Sequence, residues 1–282
     1  MKNKIILALI VLVVLAGLAG VLYNYNNTTA TPDIATPAIV TAVTLTYKVI
    51  NTLPHDSTAY TEGYELYNGM LYESAGEQGK SRVVQYKNGS TTALNNIKKN
   101  DDKTFAEGIT ILRDTLYQLT YRNNVVHLYN PTTLQPIGTR PWIGAEIEGW
   151  GLTNNGTQLI ASTGTNVLYY LNPNTMAITK TINVMLNGQP LNQVNELEYV
   201  NGYIYANVFT TDMFIKIDAE TGNVLAQADL STLLPAYNAA AISQASAPRN
   251  ESFVNGIAYN KATNTFFVTG KNWPKVYELQ LQ

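Results

Sequence analysis

Residues 195–224 read NELEYVNGYIYANVFTTDMFIKIDAETGNV, and this stretch holds the pattern that decides the fold. Its segment 202–208, GYIYANV, alternates between large apolar residues and small or polar ones, which is typical of a β-strand with one buried face. The pairs Asn201-Gly202 and Thr221-Gly222 supply the positive φ angles that tight hairpin turns require. We therefore predict short antiparallel strands joined by tight turns.

The same organisation recurs along the chain with a period of roughly 40 to 60 residues. Each unit opens on an acidic or amide residue next to a turn, and the openings are Glu62-Gly63, Glu107-Gly108, Glu148-Gly149, Asn195-Glu196 and Asn255-Gly256. Further turn pairs separate strands within the units, namely Asn68-Gly69, Asn88-Gly89 and Asn155-Gly156. Five units of about 45 residues fill residues 45–282, and repeats of this length are typical of propeller blades. The sequence therefore predicts an all-β fold, a five-bladed β-propeller.

Two segments between the units also carry predictions. Residues 45–51 precede the first unit, and the last unit ends soon after residues 275–279. We predict that the N-terminal segment completes the final blade and closes the ring, since closure removes an exposed edge strand. Residues 230–253 are rich in Ala, Ser and Pro and exceed the usual length of a connection, which predicts a loop over one face of the ring.

The first 44 residues do not follow the repeat. Lys2 and Lys4 precede an uncharged apolar run, residues 5–23, which fits an export signal that is either cleaved or kept as a membrane anchor. The positive-inside rule then places the rest of the chain outside the cytoplasm, either periplasmic or secreted. Residues 24–44 are rich in Asn, Thr, Ala and Pro, which predicts a flexible linker. The expected organisation is a signal or anchor at 1–23, a linker at 24–44 and a propeller domain at 45–282.

The composition excludes several classes of function. Eighteen Lys and Arg against 20 Asp and Glu give a net charge of −2, so the chain has no excess of basic residues for binding nucleic acid or anionic lipid. The absence of Cys excludes disulfides, thiolate metal sites and a Cys nucleophile. The only histidines are His55 and His127, and their spacing does not match a zinc site. We expect a monomer that meets the membrane only through its N-terminal segment.

Short segments in all five units resemble the plant and bacterial glutaminyl cyclase family. In chain order they are HD 55–56, YTEG 60–63, YES 72–74, GKS 79–81, FAEG 105–108, EGWGL 148–152, NELE 195–198, ANV 206–208, NGIAY 255–259 and VTGKNWP 268–274. The resemblance implies a five-bladed propeller with its site at the mouth of the central channel. It also implies conversion of the N-terminal glutamine of peptides and proteins to pyroglutamate, with release of ammonia. No metal or other cofactor is implied for the chemistry, and a structural ion in the channel stays open.

The same resemblance implies roles for individual residues. Glu107 falls where the family has its central acid/base carboxylate, and we expect it to be a catalytic residue. Asn195 and Lys271 match polar residues around the substrate's amide, and we expect them to be catalytic as well. Phe105 and Trp150 match aromatic walls of the substrate pocket.

Four further positions of the implied substrate pocket depart from the family's pattern. Tyr60 stands where Phe is usual, and Tyr121 and Phe209 each stand where Trp is usual, so these three keep a flat aromatic wall. Glu62 stands where Gln is usual, which is a larger chemical change. A second carboxylate near Glu107 would couple to it and raise one apparent pKa of the pair, or would hold the substrate's amino group.

The implied reaction is an attack by the α-amine of glutamine on its own side-chain amide carbon. The enzyme must fold the side chain back, move a proton from the amine to the leaving nitrogen and stabilise an oxyanion. One carboxylate can move both protons, and an aromatic pocket would raise the pKa of Glu107 toward a useful range. We expect Lys271 to lie nearer the oxyanion than to Glu107, because a cation beside the carboxylate would lower its pKa.

Simpler explanations and other functions also fit the sequence. A Glu-Gly pair can be only a turn, Asn195 can cap a turn, aromatic residues are often core and Lys271 can be a surface charge. A propeller can also be a non-catalytic extracytoplasmic module that binds peptide termini or glycans. A third possibility is a hydrolase or lactonase that holds a calcium ion with several carboxylates, although the sequence shows no Asp-rich cluster of that type.

Overall fold

The computed structural model describes residues 39–87, 90–92, 94–233 and 252–282. The strands β1 (Val43–Thr44) and β2 (Tyr47–Pro54) come first. Blade 1 consists of β3 (Thr61–Tyr67), β4 (Met70–Ala75), β5 (Arg82–Tyr86) and β6 (Leu94–Lys99). Blade 2 consists of β7 (Ala106–Leu112), β8 (Thr115–Thr120), β9 (Val125–Tyr129) and β10 (Pro136–Pro141). Blade 3 consists of β11 (Leu152–Asn154), β12 (Leu159–Ala161), β13 (Val167–Leu171) and β14 (Ile178–Asn183).

A small hairpin of β15 (Met185–Leu186) and β16 (Gln189–Pro190) separates blades 3 and 4. Blade 4 consists of β17 (Val194–Val200), β18 (Tyr203–Val208), β19 (Met213–Asp218) and β20 (Val224–Asp229). A 3₁₀ helix, Ser231–Leu233, follows it. Blade 5 consists of β21 (Val254–Asn260), β22 (Thr265–Gly270), β23 (Lys275–Leu281) and, from the start of the chain, β2.

The five sheets form a closed ring. The innermost strands β3, β7, β11, β17 and β21 each contact the innermost strand of the next blade, and β21 contacts β3. Within a blade the neighbouring strands are antiparallel, and tight turns such as Asn201-Gly202, with φ angles of 50° and 88°, join them. The prediction of a five-bladed β-propeller is confirmed.

The strand that completes blade 5 comes from the N-terminal side of the domain. β2 lies antiparallel to β23, with Tyr47 opposite Leu281 and Pro54 opposite Lys275. Just after β2, the buried His55 lies 2.6 Å from the carbonyl of Trp273 and 3.0 Å from a carboxylate oxygen of Glu73 in blade 1. The predicted ring closure is therefore confirmed. The contacts of His55 with Trp273 and Glu73 link blade 5 to blade 1.

Among the described residues the hydrophobic core consists of five clusters, one between each pair of neighbouring blades. Between blades 3 and 4, for example, Ile160 packs with Ile204, and both are fully buried. Between blades 4 and 5, the rings of Phe214 and Phe266 meet edge to face at 6.0 Å. Because each inner strand is covered on both faces, apolar residues are needed on both.

Glycines let the innermost strands touch backbone to backbone. A Cβ atom on Gly108 would lie 2.5 Å from the amide nitrogen of Leu152, and one on Gly151 would lie 2.0 Å from the carbonyl oxygen of Asn195. Gly63 approaches the backbone of blade 2 in the same way. Real Cβ atoms do not come so close to backbone atoms, so each of these positions requires glycine.

This packing corrects the predicted opening of the third unit. Gly108 N–H donates to the Trp150 carbonyl, and Gly151 lies against the inner strand of blade 4 as Gly108 lies against that of blade 3. Trp150-Gly151, two residues beyond the predicted Glu148-Gly149, is therefore the structural equivalent of Glu107-Gly108. Glu148-Gly149 belongs to the loop before β11.

The described domain begins earlier than the predicted residue 45. Val43 and Thr44, which lie in the predicted linker, form β1 and pair in parallel with β20. The backbone N–H of Ala42 also donates to the side chain of Asn187, at 2.8 Å. The predicted signal or anchor at 1–23, the predicted linker up to residue 38, the turn Asn88-Gly89 and residues 234–251 of the predicted loop lie outside the described residues. Within the part of the chain that is described, we find no helix with the length and hydropathy of a membrane span.

Candidate active site

A cavity of about 180 Å³ lies where the innermost strands begin. Its walls are formed by nine side chains, which are Tyr60, Glu62, Phe105, Glu107, Tyr121, Trp150, Asn195, Phe209 and Lys271. These are the nine site residues predicted from the sequence, and they come from all five blades. The structure brings all of them together at one cavity.

Two repeated positions in the blades supply seven of these side chains. The residue before the close-packed glycine faces the cavity in blades 1, 2 and 3, where it is Glu62, Glu107 and Trp150, and Asn195 is its equivalent in blade 4. The residue that follows the second strand of a blade supplies Tyr121, Phe209 and Lys271. A β-bulge at the start of β3, β7 and β17 accompanies the first position. Bulges of this kind re-aim side chains next to functional sites.

Three titratable groups, Glu62, Glu107 and Lys271, meet in this cavity. Lys271 Nζ lies 2.5 Å from Glu62 Oε1, and both side chains are no more than 5% exposed. The carboxyl groups of Glu62 and Glu107 hydrogen-bond to each other. Lys271 is also 4.2 Å from the ring centre of Tyr60 and 5.2 Å from that of Phe209, which adds cation–π attraction.

Burial controls the protonation of both carboxyl groups. It raises the pKa of Glu107 well above its usual range, and the negative charge of Glu62 raises it further. Burial also raises the pKa of Glu62, while the Lys271 ammonium and the Asn255 amide oppose that shift. The predicted coupling between the two carboxyl groups is therefore present in the structure.

A chain of amide groups fixes the orientation of Asn195. Asn255 Nδ2 donates to the Thr61 carbonyl at 2.8 Å and to Glu62 Oε2 at 2.7 Å, so Asn255 Oδ1 must point the other way. It accepts from Asn195 Nδ2 at 3.1 Å. Asn195 Oδ1 is then buried without a hydrogen-bond partner among the residues that the structure describes. A buried amide oxygen without a partner is costly, and a substrate N–H group would satisfy it.

Aromatic rings form the walls around these polar groups. Phe105 lies edge to face with Tyr60 at 6.2 Å and packs against Tyr121 at 5.7 Å. On the other side, Trp150 lies edge to face with Phe209 at 5.5 Å. These rings exclude water from the carboxyl groups, which strengthens the electrostatic interactions inside the cavity.

Two residues without a role predicted from the sequence, Glu148 and Asn255, support the cavity. Glu148 accepts the indole N–H of Trp150 at 3.1 Å and a 2.8 Å bond from Arg122, so it orients a wall of the cavity. Asn255 orients both Glu62 and Asn195. The signal for Asn255 was present, because it precedes a glycine at the start of an inner strand, as Glu62 and Glu107 do.

Further along the inner strands lies a second set of acidic residues, Glu65, Glu196 and Glu198, for which the sequence predicted no role. Glu65 accepts a hydrogen bond from Thr110, Glu196 from the backbone N–H of Tyr64 and Glu198 from that of Tyr259. Desolvation raises the pKa of Glu65 to about 7 and raises those of Glu196 and Glu198 well above their usual range. No three His, Asp or Glu side chains in the described ranges are placed to bind a metal ion together.

Comparison with known proteins gives consistent matches along the chain. A family model for glutamine cyclotransferase matches residues 19–281. The glutaminyl-peptide cyclotransferase of Arabidopsis thaliana is 35% identical over 239 residues, which cover 83% of this chain and 71% of the plant protein. The crystal structure of Myxococcus xanthus glutaminyl cyclase is 31% identical, with a TM-score of 0.76, and the match covers 86% of this chain and 98% of that one. The family match spans every blade that lines the cavity.

Proposed function

The chain belongs to the glutamine cyclotransferase family, and on that premise we propose that its nine-residue cavity cyclises the N-terminal glutamine of peptides and proteins to pyroglutamate, with release of ammonia. Family membership indicates glutaminyl cyclase activity, and it does not favour the non-catalytic binding module. The observation that carries the assignment to this cavity is the meeting of a protonatable carboxyl group, an ammonium and an unsatisfied amide oxygen among aromatic rings.

The reaction depends more on proton transfer and on a folded-back conformation of the substrate glutamine than on a strong nucleophile. The neutral α-amine attacks the side-chain amide carbon, a C–N bond forms and the carbonyl oxygen becomes an oxyanion. The bond to the amide nitrogen then breaks, ammonia leaves, and one proton has moved from the ring nitrogen to the leaving nitrogen. Since the amine and the amide belong to one residue, the enzyme gains most by holding the folded-back conformation and by supplying a proton carrier.

Glu107 is the proton carrier in this proposal. It lines the cavity, it is 5% exposed, and its pKa is raised by burial and by Glu62. A carboxyl group with a raised pKa holds a proton at the pH where an α-amine, with a pKa of about 7.7 to 8.0, begins to lose its own. Such a group can give a proton to the leaving nitrogen and recover one from the ring nitrogen.

Asn195 and Lys271 bind the two ends of the substrate's amide. The free Oδ1 of Asn195 accepts a hydrogen bond, so it suits an N–H of the substrate and not the oxyanion. Lys271 carries three N–H donors, of which one is directed to Glu62. Another can stabilise the developing oxyanion, so the chemistry uses the charge of Lys271 and requires no metal ion.

The location of the protein is a separate part of the proposal. The uncharged apolar run at residues 5–23 behind Lys2 and Lys4 supports export and, if it is retained, anchoring to a membrane. The enzyme would then act on peptides outside the cytoplasm, as a monomer. Separation of soluble and membrane fractions, followed by mass determination of the mature protein, tests both points.

The variant Glu107→Gln tests the catalytic assignment. It keeps the shape of the side chain and removes the proton carrier, so we expect kcat/KM to fall about 100-fold to 10,000-fold. The assay incubates the purified full-length chain with a peptide that begins with Gln and follows the loss of ammonia by mass spectrometry. A copy of the peptide with an acetylated α-amine cannot cyclise and gives the background.

Glu146→Gln is the matched control, because Glu146 is an exposed glutamate outside the cavity. It should keep the wild-type rate. If the wild type binds the peptide without releasing ammonia, the proposed function is wrong. If Glu107→Gln and the wild type react at equal rates, the activity belongs to another site.

A further inference from the structure

We propose that Glu62 is a positioning residue that holds Lys271 and keeps Glu107 protonated in the resting enzyme, so that Glu107 gives its proton to the leaving nitrogen before it accepts one from the ring nitrogen. The inference rests on the proposed function and goes beyond it. The proposed function requires that Glu107 carry protons, whereas this inference fixes where the proton is before the substrate binds and which residue keeps it there.

The hydrogen-bond partners of Glu62 locate the proton. One of its oxygens accepts from Lys271 Nζ, and the other accepts from Asn255 Nδ2, whose orientation is fixed by the Thr61 carbonyl. Neither partner can accept a proton from Glu62 in return. A hydrogen bond between two carboxyl groups needs one proton, and the groups around Glu62 favour its anion. The proton therefore lies on Glu107, which donates to Glu62.

The charge balance of the cavity supports the same assignment. The titratable groups that act on Glu107 are Glu62, Lys271, Glu148 and Tyr121. Glu62 and Lys271 neutralise each other, and Glu148 has its own cation in Arg122. Ionised Glu107 would thus be a buried charge without a cation of its own, which is strongly unfavourable.

The order of proton transfers follows from this resting state. After the amine has attacked and the oxyanion has formed, Glu107 gives its proton to the amide nitrogen, and the carbon–nitrogen bond breaks to release ammonia. Glu107 is then a carboxylate and takes the extra proton from the new ring nitrogen. The enzyme returns to its initial state, and every proton is accounted for.

This order predicts a pH profile with two limbs. Activity should rise as the substrate's α-amine loses its proton, near about pH 7.7 to 8.0. It should fall at higher pH as Glu107 ionises, because the acid is then missing. Glu62 sets the position of the alkaline limb, because its negative charge opposes the ionisation of Glu107.

Glu62→Gln tests the inference. The substitution keeps the size of the side chain and its ability to hydrogen-bond, but removes the negative charge of Glu62. The positive charge of Lys271 then acts on Glu107 without an anion to offset it. We expect the alkaline limb of kcat/KM to move down by about one pH unit or more, with at least a tenfold loss of activity above that limb. Glu62→Asp, which keeps the charge, should leave the limb nearer to that of the wild type, and Glu146→Gln should not move it.

Infrared spectroscopy gives a readout that does not depend on turnover. The difference between the wild type and Glu107→Gln at pH 7 should contain the carbonyl band of a protonated carboxyl group. The matched difference between Glu62→Gln and the double variant Glu62→Gln, Glu107→Gln should show this band only at lower pH. Comparing pairs of variants cancels the contribution of other protonated carboxyl groups, such as that of Glu196.

The outcomes separate the two proposals. If the wild type does not cyclise the peptide, the proposed function is wrong, and the infrared comparison still decides where the proton lies. If the wild type cyclises the peptide but Glu62→Gln has the same alkaline limb, the inference is overturned. Absence of the carboxyl band from the difference between the wild type and Glu107→Gln overturns it as well, even if Glu62→Gln does not fold.

Discussion

Asn195 illustrates how single hydrogen bonds define the site at the scale of one residue. Its Nδ2 is directed to Asn255, its Oδ1 has no hydrogen-bond partner among the described residues, and in the proposed function this oxygen accepts from the substrate. We expect Asn195→Ala to lower kcat/KM about 10-fold to 100-fold, because it removes one hydrogen bond to the substrate, a contribution of about 1.5 to 3 kcal/mol. Steady-state rates with a Gln peptide measure the effect. Asn174→Ala, at an exposed asparagine, should leave the rate unchanged, and an equal loss in both variants would contradict the role of Asn195.

At this scale the sequence was most informative where it resembled a family. The nine cavity residues were predicted from that resemblance, because composition and spacing alone do not separate a glutamate that lines a cavity, such as Glu107, from a glutamate in a turn. The contacts of Glu62 with Lys271 and Asn255 could not be predicted. Both partners belong to blade 5, which meets blade 1 only when the ring closes. Such long-range contacts depend on the radial order of the blades, which local sequence does not encode.

At the scale of the strand, the closest backbone contact in the ring predicts the most sensitive glycine. Gly151→Ala would place a Cβ 2.0 Å from the carbonyl oxygen of Asn195, between two inner strands that are packed on both sides. We expect a loss of about 3 kcal/mol in the free energy of unfolding, since backbone atoms cannot move aside as side chains do. Urea unfolding followed by fluorescence measures the loss.

Gly202→Ala is the matched control for that prediction. Gly202 has a φ of 88° but open space around it, so the substitution should cost only the strain of the turn, about 1 kcal/mol. Equal losses at the two positions would mean that turn strain, and not the contact between inner strands, explains the effect at Gly151.

Two predictions about strands were wrong, namely the opening of the third unit and the assignment of residues 43–44 to a linker. Glu148-Gly149 has the same residue types as Glu107-Gly108, but the bulky Trp150 occupies the equivalent cavity position. The strand β1 was missed because a two-residue strand that pairs in parallel with β20 leaves no periodicity in the sequence. Both errors arise because local propensity does not specify which backbone a segment will pair with.

For the whole molecule, the acidic residues inside the ring predict a loss of stability as the pH rises from acid to neutral. The pKa of Glu65 is raised to about 7 in the folded protein, above about 4.3 for an unfolded chain. The folded state therefore holds this proton more tightly, and its contribution to stability is lost as the pH rises through that interval. We expect the urea midpoint of the wild type to fall, relative to that of Glu65→Gln, between pH 5 and pH 8, with Glu146→Gln as the control. A constant difference between the wild type and Glu65→Gln over this range would refute the assignment.

The closing strand also bears on how the protein is made. β2 pairs with β23, and Thr46 bonds to Gln282 over a separation of 236 residues. A ribosome releases β2 early, but its partner emerges only when synthesis has passed the fifth blade. Until then β2 is unpaired and the ring of blades is open. The entropic cost of bringing two such distant segments together slows the pairing of β2 with β23. The strand pair that closes the finished ring therefore cannot form until β23 has been synthesised.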